Sequence, residues 1–403
     1  MLKSDYLTSL TPLRGIAALF VIIFHCDLFL GGGGGLLISR ETSPLLTKGY
    51  LMVDFFFVLS GFIMGYVYFK SFEENGMGSF RKFIVARFAR IYPLHVFTFI
   101  WVLVIYAVAN LTGTYHEDWV SKLGNNLWAI PSQLLLVHSM HLHNWTTWNG
   151  PSWSISVEWW VYMLFPTLVF LMMKTNALKK VLVLLVAWAG MWLIVLWIRP
   201  TNPLPLPFPI PPQYTLDVTA DFGFLRCLFE FAWGVVFYQL FRSDWGRRIV
   251  SGTSFFLAMV AVMFVCMHFD VYDTFTVITF PFIILSAAYN TTGVNRFFQW
   301  RPMQVMGDLS FSMYLTHFPV FGTVASVITA VFGVQQGFST AMGWFICFVW
   351  IVLTLLVSAV TYKYIELPCR NWINERLGSG STSRSSTSTY LQKSFSDQIH
   401  QRG

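Results

Sequence analysis

Charge is scarce in this sequence. Only 11% of its residues are Asp, Glu, Lys or Arg, against about a quarter in soluble globular proteins. Its 40 phenylalanines nearly match its 26 basic and 19 acidic residues combined. A surface so poor in charge cannot face water on all sides, which excludes a soluble enzyme. Cysteine is scarce too. The five, at 26, 227, 266, 347 and 369, form no CxxC or paired spacing and mostly sit in apolar runs, so they read as small buried hydrophobes. No internal repeat is present. The first apolar run is interrupted by Arg14 and followed by no small-x-small site, which argues against a cleavable signal peptide. The net charge of +7 is no nucleic-acid signal, because the basic residues lie between apolar segments.

What is abundant is apolar length. About 20 apolar residues cross a bilayer as a helix. Ten runs are candidates: 10–30, 50–69, 92–110, 153–173, 181–198, 222–241, 253–269, 274–289, 307–331 and 341–364. The expected fold is an all-α polytopic integral membrane protein of about ten transmembrane helices, with the seventh and eighth short and close together. Lysine and arginine set the orientation. With the N-terminus inside, the outer loops hold only Arg40, Lys48, Lys122, Arg199 and Arg226, and the inner set holds the other 21 of the 26. Both termini are therefore expected in the cytoplasm. Three stretches read as non-helical: the outer turn GGGGG at 31–35, the proline-rich outer segment 200–212, and a cytoplasmic tail from Gly378. The expected division is a transmembrane domain over 1–377 and a disordered tail over 378–403.

Several polar residues interrupt the apolar runs. Arg14 and His25 are 11 residues apart, which on a helix is about three full turns and about 16 Å, so they share a face. The fourth run, in NGPSWSISVEWWVYMLFP (149–166), places Ser154 and Glu158 on one face at i, i+4. Opposite helix directions put His25 and Glu158 at nearly the same depth, with Asp54 close to that level. Arg87 and Arg90, at i, i+3, join Arg14 near the inner side. Three guanidiniums around a cytoplasmic mouth suit a phosphorylated ligand.

Each signal has a plainer alternative. The arginines also suit lipid phosphate anchoring, and His25 alone suits an interhelical hydrogen bond. Glu158 is harder to explain that way, since an intramembrane carboxylate costs about 2.5–3.5 kcal/mol on insertion scales. His138, His141 and His143 lack a partnering carboxylate pattern, so no metal site is assigned. The tryptophans over 145–160 read as an interfacial belt.

Taken together, Arg-x10-His, FFFVLSGF, Arg-x-x-Arg, PSWSISVEWWVYMLFP, GDLSFSMYLTHFPV (307–320) and YIELPCRNW (364–372) resemble the membrane acyltransferase 3 family. The resemblance runs in order across about residues 8–375. It implies transfer of an acyl group, usually acetyl, from a coenzyme A thioester to a hydroxyl on an extracytoplasmic glycan such as exopolysaccharide or lipopolysaccharide. The family's essential Arg/His pair falls on Arg14 and His25, its Arg-x-x-Arg on Arg87 and Arg90, and its Ser-x-x-x-Glu on Ser154 and Glu158. Some members carry an appended SGNH hydrolase-like domain; here a short polar tail follows the last run, so no second transfer step is expected from this sequence.

The expected assignment makes His25 the general base and Glu158 its orienting or charge-balancing partner. Arg14, Arg87 and Arg90 hold the donor, and an acyl-His25 intermediate is equally allowed. Asp54, Tyr314 and His317 are supporting candidates. No cofactor is expected; acyl-CoA is a co-substrate, and the bilayer and a polysaccharide or lipid-linked glycan are the partners. The expected location is the bacterial inner (plasma) membrane, multi-pass. The rival reading is a proton-coupled transporter of an anionic substrate, and a third is a non-catalytic partner of a polysaccharide machine. The sugar, hydroxyl position, acyl group and oligomeric state are not legible.

Overall fold

Lipid offers no partner to a backbone N–H or C=O, so a chain this apolar must satisfy its hydrogen bonds within helices. A computed structural model of the chain describes residues 7–31, 35–113, 124, 126–173, 176–202, 213–290, 293–333 and 337–378. Among these residues there is no strand. The main helices are α1 (Leu10–Leu30), α2 (Leu51–Asn75), α3 (Phe80–Leu111), the short α4 (Ala129–Leu134), α5 (Trp153–Met172), α6 (Ala177–Leu193) and α7 (Gly223–Arg242). They continue with α8 (Thr253–His268), α9 (Asp273–Tyr289), α10 (Arg301–Phe332), α11 (Thr340–Thr361) and α12 (Leu367–Leu377). Every one of the ten apolar runs coincides with a helix. The stretches 31–35, 200–212 and the tail fall wholly or largely outside the described residues.

Among the described residues, seven helical stretches are long and apolar enough to cross a membrane, one of which, Thr47–Leu111, contains both α2 and α3. Helices α8 and α9 are shorter, at 16 and 17 residues. Two helices extend beyond their apolar runs in a way that matters for the site. Helix α3 begins at Phe80, so Arg87 and Arg90 lie on it, ahead of the run that starts at residue 92. Helix α11 runs through a π-helical turn, Tyr362–Glu366, directly into α12. The α2–α3 connection is tight and begins with Gly76 at φ 53°, a left-handed conformation that favours glycine.

Small residues decide how closely the helices approach. The most extensive packing joins α2 to α7 and α1 to α10. A Cβ on Gly61 would lie 2.1 Å from the Phe231 carbonyl oxygen, and one on Gly234 would lie 2.0 Å from that of Val58. On the other pair, a Cβ on Gly307 would lie 2.1 Å from the Thr11 carbonyl oxygen. Such backbone contact replaces the hydrophobic drive that lipid removes. Phe57, Phe62, Phe165, Phe231 and Phe280 fill the core around α2, α5, α7 and α9. Ile22, Met313 and Trp350 centre a second cluster of α1, α10 and α11. Helix α3 packs on α5 and also on α10 and α12. The junction of these groups holds the polar residues.

Candidate active site

Where α1, α2, α3, α5 and α10 meet, a cavity of about 150 Å³ opens, lined by Arg14, Arg87, Arg90, Ser154, Glu158 and Tyr314 among apolar side chains. Five of the six sequence motifs thus contribute to its lining, although they lie up to 300 residues apart.

Glu158, Arg87 and Arg90 each have a definite holder. Glu158 Oε1 accepts a 2.7 Å hydrogen bond from the Tyr162 hydroxyl, whose oxygen is 2.9 Å from Ser60 Oγ. Tyr162 and Tyr68 also flank the Arg87 guanidinium, 6.0 and 5.4 Å from ring centre to Cζ. Arg87 donates to the Tyr68 hydroxyl at 3.3 Å, while its buried Nε has no hydrogen-bond partner among the described residues. Arg90 is paired with Glu366 and lies 4.9 Å over the Phe311 ring. Ser154 Oγ is 2.8 Å from the Tyr314 hydroxyl, and both bond the Pro151 carbonyl oxygen.

His25 does not line this cavity. Its Nδ1 is 2.9 Å from the Val21 carbonyl oxygen. A carbonyl can only accept, so Nδ1 carries the proton and Nε2 keeps its lone pair, the form a general base requires. Its ring lies 4.9 Å from that of His317, which is fully buried. The His317 ring is 6.0 Å from that of Tyr314. The order from cavity to base is therefore Tyr314, His317, His25. The sequence paired Glu158 with His25; the structure instead sets Glu158 among the arginines and gives His25 an imidazole neighbour.

Asp54 stands apart. Both its oxygens engage Arg226, with Nε to Oδ1 at 2.7 Å and Nη2 to Oδ2 at 2.5 Å, and neither side chain reaches solvent. Glu230 is fully buried one turn along the same helix. Arg226 and Glu230 were visible as charges in an apolar run, the signal that an intramembrane partner must exist. The outer-loop histidines go separate ways. His138 stacks on His95, His143 Nε2 lies 2.7 Å from Ser132 Oγ, and His141 meets Phe222. Burial pushes His138 down to about 3, so it is neutral at physiological pH.

The Acyltransferase domain family matches residues 7–363, and the chain belongs to that family. It is 21% identical over 387 residues to Peptidoglycan O-acetyltransferase OatA of Listeria monocytogenes, covering 91% of this chain and 56% of that protein. It is 23% identical over 394 residues to O-acetyltransferase OatA of Staphylococcus aureus, covering 92% of this chain and 58% of that protein. The chain thus spans little more than half the length of these relatives. No solved structure matches it significantly.

Proposed function

We propose that this acyltransferase-family chain moves an acyl group, acetyl by its likeness to the relatives above, from acyl-CoA to a hydroxyl of an extracytoplasmic glycan. The observation that carries this reading is the joint cavity of Arg14, Arg87, Arg90, Ser154, Glu158 and Tyr314. Three guanidiniums face one cavity carboxylate there, a surplus of positive charge suited to a phosphorylated donor. The names of the relatives favour a cell-wall glycan as acceptor; exopolysaccharide and lipopolysaccharide are the other members of the same class.

In this reading the donor enters from the cytoplasm, because the excess of Lys and Arg places the N-terminal ends of α1 and α3 there. Arg14 and Arg87 bind its phosphates. The pantetheine arm runs about 16 Å along α1, past Tyr314 and His317, to bring the thioester to His25. As the acceptor oxygen attacks the thioester carbon, its proton passes to His25 Nε2. The carbon–sulfur bond breaks, and the leaving thiolate takes that proton, releasing free coenzyme A and the ester. A positioned base of this kind contributes about 10²–10⁴-fold. Glu158, anchored by Tyr162, balances charge in the donor cavity rather than orienting His25.

Purified protein incubated with radiolabelled acetyl-CoA and a glycan acceptor tests the reaction: the label must move from thioester to ester. In inside-out vesicles, external acetyl-CoA should label a lumenal acceptor, whereas right-side-out vesicles should need donor loaded inside. Equal activity with donor on the outer face would sink the passage.

A further inference from the structure

Of the cations lining the cavity, Arg90 alone has a carboxylate within ion-pair distance among the described residues. That carboxylate, Glu366, comes from the far end of the chain and is 1% exposed. Its Oε1 accepts from Arg90, and its Oε2 accepts from Ser312 Oγ at 2.9 Å. Arg370, one helical turn on, lies 4.0 Å from Oε1. A single carboxylate therefore ties together α3, α10 and the α11–α12 junction. It sits at the last residue of the π-helical turn Tyr362–Glu366. A π-turn carries one extra residue, which rotates the following side chains relative to a continuous α-helix, and such turns recur at functional sites.

Electrostatics explain why Arg90 needs this holder. Arg14, Arg370 and Arg87 all act on it as like charges. Left alone in a low-dielectric interior, its flexible side chain would swing away from them. A guanidinium has five N–H donors in a rigid fork, so a carboxylate on one edge leaves the others free.

We propose that Glu366 is a positioning residue of the donor site, holding Arg90 in the cavity wall so that its remaining N–H groups face the donor's phosphates. This rests on the reading of the cavity as the donor site. Removing a charged hydrogen-bond partner is expected to weaken binding roughly tenfold.

The test measures equilibrium binding of coenzyme A to the purified full-length protein in lipid nanodiscs, with the thermal midpoint recorded alongside. Arg90→Ala and Glu366→Gln should each weaken coenzyme A binding roughly tenfold. Glu366→Asp, which keeps the charge, should restore most of the affinity. The double variant should bind no worse than Arg90→Ala alone, because Glu366 acts through Arg90. Wild-type affinity in Glu366→Gln, or additive losses in the double variant, would overturn the inference while leaving the donor site standing. Wild-type affinity in Arg90→Ala would overturn the part of the donor reading that rests on Arg90, and this inference with it. If Glu366→Gln fails to fold, Ser312→Ala decides. It keeps the carboxylate but frees Oε2, and it should weaken binding by a smaller factor; no change would overturn the assignment.

Discussion

Arg226 and Asp54, 172 residues apart, form a two-pronged ion pair with neither side chain exposed to solvent. Arg226 also donates to the Val218 carbonyl oxygen at 3.2 Å and lies 5.3 Å over the Trp153 ring. Asp54 is thereby a structural anchor between α2 and α7 rather than a group facing the cavity. Asp54→Ala removes the two-pronged partner of a buried guanidinium and leaves it only the more distant Asp217, at 3.7 Å; removal of one partner from a buried pair costs about 3–5 kcal/mol. The variant should show a large drop in thermal midpoint in detergent. An unchanged midpoint would mean that water reaches the pair.

His25 and Arg87 should fail in different ways. His25→Ala should lower acyl transfer by about 10²–10⁴-fold, with coenzyme A binding retained. Arg87→Ala should weaken coenzyme A binding roughly tenfold to a hundredfold. Parallel activity and binding measurements separate the two; loss of donor binding in His25→Ala would place His25 in the donor site instead.

Orientation can be read by cysteine labelling at two exposed positions. Met77, 56% exposed, lies between α2 and α3, and Leu142, 59% exposed, lies between α4 and α5. A cysteine at 142 should react with an impermeant maleimide on intact cells, and one at 77 only after permeabilisation. The reverse pattern would invert the charge argument and the direction of donor entry.

The α2–α7 contact should not tolerate a methyl group. Gly234→Ala places a Cβ 2.0 Å from the Val58 carbonyl oxygen, so the helices must part. Overpacking of this kind costs about 1–3 kcal/mol. The thermal midpoint should fall and activity with it. Gly78→Ala, where a Cβ meets nothing within 4 Å, serves as the control and should behave as wild type.

The sequence by itself determined the helices and much of the machinery. A long apolar run in lipid has one means of satisfying its backbone, so run length translates directly into helix, and all ten runs became helices. The same scarcity of charge made Arg14, Arg87, Arg90 and Glu158 conspicuous, and the structure brings all four to one cavity. Partners were decided only by tertiary structure. Arg90 meets Glu366 across 276 residues, Asp54 meets Arg226 across 172, and His25 meets His317 on another helix. Helical periodicity fixes which residues share a face and how far apart they lie along the axis. Which neighbour that face meets depends on the rotation and closeness of whole helices. Backbone contacts at Gly61, Gly234 and Gly307 set these, and the run lengths do not encode them.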